Sequence, residues 1–413
     1  MKALFKRLLA LSLILTLILS LISCDLFNKS NDDNKNGDSS NSDNVQSVPK
    51  EPKPYVVTYV TDYENIKNVI FIIGDGMGEE QLDAGELMYG KEFTFRDSFN
   101  RIYSDTNSLN EDTDEATETT DSAAGATALA TGVLTYNGRI AMDSQFNDFT
   151  TILDIAKSVG KSTAVVTTDY LSGATPSGFS AHTLNRNLER EIIKSQITSG
   201  VDLLIGQYDE TYDEYEEQIK EKYNYVKSFD KDAILASKES DSLCLFNIEK
   251  SAEDSIELKD ATDLAVNYLK DDTDGFVLVI EQAHIDKKCH DNNLEAAAKA
   301  ANSLNDTVEY VLNFAKDRND TAVIITADHE TGGLEVSEDP AALKNTATAT
   351  DGTEFSYKFS SKNHTKTNVP VYFSGFGAKP ELFNTFSSSE KLKNNEIFFI
   401  AKDLILHSKL VTE

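Results

Sequence analysis

The chain has 413 residues, 40% of them hydrophobic and 26% charged, enough to bury a full core as one large or two medium domains and to exclude global disorder. Its formal charge is −30, and loss of the first 23 residues, which carry Lys2, Lys6 and Arg7 and no acid, would take it to −33. Such a surface repels nucleic-acid phosphates and anionic headgroups, so nucleic-acid binding as a main role is excluded.

Basic residues open the chain, and Leu8 to Ser23 is a nearly unbroken apolar run, shorter than the roughly 20 residues a membrane-spanning helix needs. Residues 1–23 read as a signal peptide ending in Leu21-Ile22-Ser23-Cys24, which resembles the bacterial lipobox. Lipidation of Cys24 would place the protein outside the cytoplasm, anchored to a bacterial membrane at the periplasmic side or the cell surface. One acyl chain binds marginally, at about 0.8 kcal/mol per buried CH₂, so stable anchoring takes two or three. Residues 24–54 are rich in Asn, Asp, Ser and Lys and end in Pro49, Pro52 and Pro54; they read as a flexible stalk. The folded domain is expected over 55–413. Cys244 and Cys289 are then the remaining cysteines, and their pairing is open.

Strand-like runs follow at Asn68–Ile73, Ser162–Thr168, Val201–Ile205, Phe276–Ile280, Ala322–Thr326 and Val369–Phe373. Helical spacing appears at Phe149–Val159, Leu188–Thr198, Ala261–Leu269, Asn292–Phe314 and Glu396–Leu406. The alternation predicts an α/β fold: a central, mostly parallel sheet sandwiched between helices, with ligands beyond the carboxyl ends of the strands. Gln207–Asp241, crowded with charged residues and Tyr, reads as a solvated insertion near the edge.

The chemistry-bearing residues stand just after those runs. The first strand breaks at Gly74-Asp75-Gly76-Met77-Gly78, where Glu79 occupies the place of the third glycine of a dinucleotide fingerprint, so that reading fails. Taken alone, Asp75 is equally a turn residue. Glu118-Thr119-Thr120-Asp121-Ser122 leads into a helix of small residues up to Gly132. Ser122 sits near its N-terminus, where an anion is favoured, or is simply an N-cap. No G-x-S-x-G elbow is present. Glu281 ends a strand, Asp286 and His290 lie at i and i+4, and Asp328-His329 follows another buried run. His364, like His182, His284 and His407, reads by itself as a surface loop residue. Four carboxylates, Asp75, Glu281, Asp286 and Asp328, converging on one sheet end would repel one another unless multivalent cations lay among them, which argues for a polynuclear metal site.

Together, Gly74-Asp75-Gly76-Met77-Gly78, Thr120-Asp121-Ser122-Ala123-Ala124-Gly125-Ala126-Thr127, Glu281 with Asp286 and His290, and Thr326-Ala327-Asp328-His329-Glu330-Thr331-Gly332-Gly333 resemble the alkaline phosphatase family over nearly all of residues 65–408. The resemblance implies a phosphomonoesterase with two Zn²⁺ and one Mg²⁺ around a serine nucleophile. By position it implies Asp286, His290 and His364 on one zinc, Asp75, Asp328 and His329 on the other, and Asp75, Thr175 and Glu281 on magnesium. It makes Ser122 the nucleophile, forming a phosphoseryl enzyme, and Arg186 the phosphate clamp, with Arg190 the rival. Lys287 matches a lysine that some relatives place near the phosphate. Gly173 departs from the pattern, falling where some bacterial relatives have an acidic residue or histidine beside the magnesium. Cys289 adjoins His290 but points about 100° away on a helix, so it is not a ligand. The family resemblance implies small phosphate monoesters as partners and leaves a homodimer open. The alternatives are a metal-dependent phosphodiesterase or phosphomutase of the same superfamily, or a catalytically dead surface-binding lipoprotein.

Overall fold

The computed structural model describes residues 66–375 and 391–410, apart from Phe99, Ser144, Phe146, Glu239, Ser251, Glu253, Asp317 and Asn319. The expected signal peptide, Cys24 and the stalk lie outside the described residues.

A nine-stranded sheet organises this part of the chain. Its strands are β1 (Asn68–Gly74), β2 (Asn100–Ser104), β3 (Ser162–Tyr170), β4 (Leu203–Gln207), β5 (Asn224–Val226), β6 (Ser242–Phe246), β7 (Phe276–Gln282), β8 (Thr321–Thr326) and β9 (Val369–Gly375). In space they run β2–β9–β8–β1–β7–β3–β4–β6–β5. The seven from β8 to β5 are parallel, and β9 runs antiparallel to both β8 and β2. All six strand-like runs of the sequence are strands of this sheet.

Both faces are covered, which is why the central strands read as continuous apolar runs. Alternate residues of β1 divide between two cores, because successive side chains of a strand point to opposite faces. Val69, Phe71 and Ile73 join the layer that contains helices α2 (Ser122–Thr131), α3 (Ile152–Ser158) and α9 (Glu396–Leu410). Ile70 and Ile72 join the layer of α1 (Glu79–Tyr89), α6 (Leu258–Leu269) and α8 (Leu294–Ala315). No helix among the described residues is long and apolar enough to cross a membrane.

Gln207–Asp241 is more than a solvated insertion. Tyr212 and Ile219 are fully buried, and Asn224–Val226 forms the edge strand β5 beside β6. Tyr212, Ile219 and Tyr223 join one core layer and Ile234 the other, too few and too scattered along the chain to show a period. Cys244 lies in β6 and Cys289 beneath the site; both are buried and free, and burial pushes both thiols up. His182 and His284 are not loose surface residues either: His182 Nε2 lies 3.0 Å from the Phe149 carbonyl, and His284 Nδ1 lies 3.5 Å from Glu249.

The topology explains where the chemistry gathers. The loops after β1, β3, β7 and β8 all leave from the same end of the sheet, and the entry to the antiparallel β9 returns to that end. Asp75, Glu281 and Asp328 stand at strand ends; Asp286 and His290 ride on α7 (His284–His290), directly after β7. Thr175 lies in α4 (Ala174–Ser180), after β3. His364 comes to the same place through a two-residue ladder in which Glu330 pairs with Thr365 and Thr331 with His364.

Candidate active site

Backbone contacts between loops set the site before any side chain does. The Asp286 N–H donates to the Asp75 carbonyl at 2.8 Å, and the Thr331 N–H donates to the Gly76 carbonyl at 3.2 Å. Gly76 has φ +75°, and a Cβ there would fall 2.6 Å from Asp286 Cα. Only glycine meets both demands. Gly125 likewise lets α2 lie against the β8 exit, since a Cβ would come within 3.0 Å of Asp328 Cβ.

At the start of α2 the capping residue is Asp121, not Ser122. Asp121 Oδ1 accepts the Ala124 N–H at 3.0 Å, while Oδ2 accepts from Gly138 N–H at 2.9 Å and from Arg186 Nη1 at 3.1 Å. That division leaves the Ser122 hydroxyl free of capping duty. Ser122 is buried, and its Oγ lies 3.2 Å from His329 Nε2.

Three histidines are oriented in one way. His364 Nδ1 faces the Thr120 carbonyl at 2.8 Å, His290 Nδ1 faces the Lys362 carbonyl, and His329 Nδ1 lies 3.2 Å from Thr331 Oγ1. A proton on each Nδ1 satisfies these partners and leaves each Nε2 lone pair for the cluster. An outer hydrogen bond of this kind fixes the tautomer of a metal-binding histidine. The Nε2 atoms of His290 and His364 are 3.1 Å apart, and they lie 3.2 and 3.4 Å from the same oxygen, Asp286 Oδ1. Two lone pairs aimed at one carboxylate oxygen describe a cation's coordination shell better than a hydrogen-bond network. The His329 and His364 rings stack with centroids 3.5 Å apart.

Two ligand groups emerge, Asp286–His290–His364 and Asp75–Asp286–His329, each with ligand atoms within 4.8 Å of one another. Asp286 belongs to both, a sharing that the sequence did not disclose. Asp328 stands beside the second group: its Oδ1 accepts the Gly76 and His329 N–H groups at 3.3 and 3.0 Å, and Oδ2 lies 3.4 Å from His329 Nε2. Glu281 is buried at the end of β7 and accepts from the Thr167 hydroxyl.

The electrostatics show what the cluster lacks. Burial, then the charges of Asp328, Asp286 and Glu281, push Asp75 far above the ordinary carboxylate range. Burial and Asp286 push Asp328 up to about 7, and burial and Asp169 push Glu281 up to about 8. Burial also opposes the ionised form of Asp286, but in the metal-free chain a second proton on His290 and His364 turns each Nε2 into a donor, and those hydrogen bonds hold this carboxylate well below its usual value; a cation would take the place of those protons. Asp75 Oδ1, Asp328 Oδ2 and Thr175 Oγ1 are buried without a hydrogen bond of good geometry. Oxygen atoms orphaned in this way, among carboxylates that repel one another, are what cations would satisfy. The donor set therefore fits metal ions.

Arg186 lies at the rim of the site, on Asp121, and among the described residues its guanidinium makes no other hydrogen bond of good geometry. Arg190 instead forms an exposed pair with Glu214 at 2.6 Å. Lys287 pairs with Asp169, a residue that the sequence did not mark. Thr331 was missed as a partner too: it donates to Asp286 Oδ1 at 2.5 Å while facing His329 Nδ1.

A mostly parallel α/β sheet with a carboxylate–histidine cluster and a buried serine at its carboxyl end defines a metal-binding α/β protein. The chain matches the alkaline phosphatase family model over residues 66–211 and 206–372, and it belongs to that family. It is 32% identical over 312 residues to alkaline phosphatase 3 of Bacillus subtilis, covering 67% of this chain and 63% of that relative's length. The chain thus spans less than two thirds of that relative. Alkaline phosphatase from the Antarctic bacterium TAB5 superposes with a TM-score of 0.70 at 28% identity, over 83% of this chain and 98% of that one. A variant of the same TAB5 enzyme with Mg bound in its M3 site superposes with a TM-score of 0.68, at the same identity and coverage.

Proposed function

We propose that this chain hydrolyses phosphate monoesters to an alcohol and inorganic phosphate through a phosphoserine at Ser122. The observation that carries this reading is the Ser122 hydroxyl, relieved of capping by Asp121 and held 3.2 Å from His329 Nε2 at the edge of a ligand cluster with orphaned oxygens. Two zinc ions would be held by Asp286, His290 and His364 and by Asp75, Asp328 and His329, with Asp286 placed to reach both. Magnesium would take the oxygen-only set of Asp75, Thr175 and Glu281, in keeping with its preference for hard ligands. When bound, the cations supply Lewis acidity and positive charge that make a serine oxygen nucleophilic at moderate pH and stabilise charge on the phosphoryl group.

The chain's own residues account for the rest. Ser122 Oγ gives up its proton and bonds to phosphorus as the ester P–O bond breaks, and the departing alkoxide takes up one proton in exchange, through solvent, for the one the serine released. In the second half a water oxygen attacks the same phosphorus, the Oγ–P bond breaks, and phosphate leaves as the serine regains its proton. The start of α2 presents peptide N–H groups and the positive end of its dipole to the phosphoryl oxygens. Arg186, steadied through Asp121, has a planar fork suited to two of them. Lys287 adds positive charge nearby. The monoester reading predicts turnover of p-nitrophenyl phosphate well above that of bis(p-nitrophenyl) phosphate.

Ser122→Ala tests the mechanism. Turnover is expected to fall by orders of magnitude with an unchanged circular dichroism spectrum and unchanged metal content, and acid-quenched wild type is expected to carry phosphate on Ser122. Near-normal turnover of the variant would end the nucleophile assignment. We further propose an extracytoplasmic protein tethered through lipidated Cys24; mass spectrometry of the mature N-terminus checks this, and an unmodified start elsewhere overturns it.

A further inference from the structure

The ion pair between Lys287 and Asp169 links the one departure from the family pattern to a residue that the pattern does not include. Gly173 offers no side chain where some bacterial relatives carry an acidic residue or histidine. The volume beside it is nevertheless filled: a Cβ built on Gly173 would lie 2.7 Å from Asp169 Oδ2 and 3.1 Å from its Cγ, with the Tyr170 carbonyl oxygen at 2.9 Å. The carboxylate comes from four residues upstream.

The strand is shaped to deliver it. The register of β3 against β4 shifts between Val166 and Tyr170, an irregularity of the kind that re-aims a side chain at a strand end. Within that stretch the Thr167 hydroxyl accepts the Asp169 N–H at 2.8 Å and donates to the buried Glu281. Asp169 Oδ1 accepts the Tyr170 N–H at 2.8 Å and the Lys287 ammonium. One threonine thus joins the backbone of Asp169 to Glu281, and one carboxylate joins β3 to α7, which carries Asp286 and His290. The oxygen that lacks a hydrogen bond of good geometry here is Thr175 Oγ1, buried beside Glu281 and two residues beyond Gly173.

We propose that Asp169 is a positioning residue for the oxygen-only cation site of Asp75, Thr175 and Glu281, taking the place left by Gly173 and fixing Lys287 beside it. This rests on the metal-dependent reading of the site given above. Asp169 touches neither substrate nor the reacting phosphorus; it acts through Lys287, Thr167 and the outer shell of the cation.

The test is a magnesium titration of the zinc-loaded, full-length protein, read by thermal melting. Asp169→Asn keeps the shape and removes the charge. The magnesium concentration at half of the melting shift is expected to rise by about 10- to 100-fold, the usual cost of losing an outer-shell partner, with zinc per chain unchanged. Should that variant fail to fold, Asp169→Glu, which moves the charge by one methylene, is expected to raise the midpoint in the same direction. A midpoint within twofold of wild type overturns the proposal. So does a wild type that releases phosphate but shows no magnesium-dependent shift, an outcome that leaves the phosphatase reading standing. A magnesium shift lost in Asp169→Asn, in a wild type that hydrolyses no phosphate ester, supports the placement of Asp169 and overturns the catalytic reading instead. Gly173→Ala supplies a second readout: its loss in melting temperature is expected to be smaller in an Asp169→Ala background, because the two positions compete for one volume. Equal losses in both backgrounds overturn that competition.

Discussion

Around Asp286 the three histidines each turn Nδ1 to a protein acceptor, and protonation of His290 and His364 at Nε2 holds the carboxylate ionised in the absence of a cation. Around Asp75, a few ångströms away, buried carboxylates face one another, and Asp75, Asp328 and Glu281 are all pushed toward their neutral forms. The first half is preorganised by the protein alone. The second is tolerable only when positive charge arrives, so folding and metal binding are coupled there more strongly than at the histidine half. Asp286 stands where the halves meet.

The largest effect is therefore expected from Asp286→Ala, which removes a ligand atom from both groups. Zinc content should fall at both positions, and turnover should drop by well over the roughly 10–100-fold typical of an outer-shell partner. Loss of one zinc with the other retained, measured by elemental analysis, would break the claim that Asp286 serves both halves. The pH dependence of the metal-free protein comes next. Glu281, raised from 4.5 to about 8 in the folded chain, makes the fold less stable as the pH climbs from its unfolded value through about 8. His290, raised to about 9 by its hydrogen bond to Asp286, contributes stability that is complete below 6.5 and lost as the pH rises through about 9. Both run the same way between pH 7 and 9. His329, whose pKa is lowered by burial, costs stability only below 6.5, and Asp286 titrates below the window altogether. Melting after chelation should thus fall from pH 7 to 9, while the metal-loaded protein stays nearly level. Equal chelation losses at the two pH values would refute the repulsion described for the Asp75 half. Thr331→Val sharpens the contrast on a smaller scale. It removes the hydroxyl that faces His329 Nδ1 and donates to Asp286, and is expected to weaken metal retention by about 10- to 100-fold.

What could be read in the sequence follows from the same physics. Strands buried on both faces leave unbroken apolar runs, and a parallel sheet puts its chemistry immediately after them, so Asp75, Glu281, Asp286 and Asp328 were visible as carboxylates in the wrong place for a core. β6 escaped notice because Ser242–Phe246 follows directly on a charged stretch whose scattered buried members, Tyr212, Ile219, Tyr223 and Ile234, show no period that would mark it as part of the fold. His364 has no local mark; only a two-residue ladder with Glu330–Thr331 brings it across, and the family resemblance reached it where spacing could not. Asp169 and Thr331 were illegible for a different reason. Aspartate and threonine are ordinary at strand ends, and what gives these two a role is a register shift and a turn of the backbone.

The finest distinction, down to no effect at all, separates two arginines four residues apart. Arg186 is tied to Asp121 at the start of α2, and under the proposed function its remaining donors would clamp the phosphoryl group. Removing such charge-assisted bonds costs about 1.5–3 kcal/mol each, or roughly 10- to 150-fold in KM and in inhibition by phosphate for Arg186→Ala. Arg190 spends its charge on Glu214 in an exposed pair, where solvent screens the attraction. Arg190→Ala should leave KM, the phosphate inhibition constant and the melting temperature essentially unchanged. A phosphate constant that moved with Arg190 and not with Arg186 would exchange the two roles, and would mean that α5 (Glu189–Ile197), rather than the loop before it, turns toward the substrate.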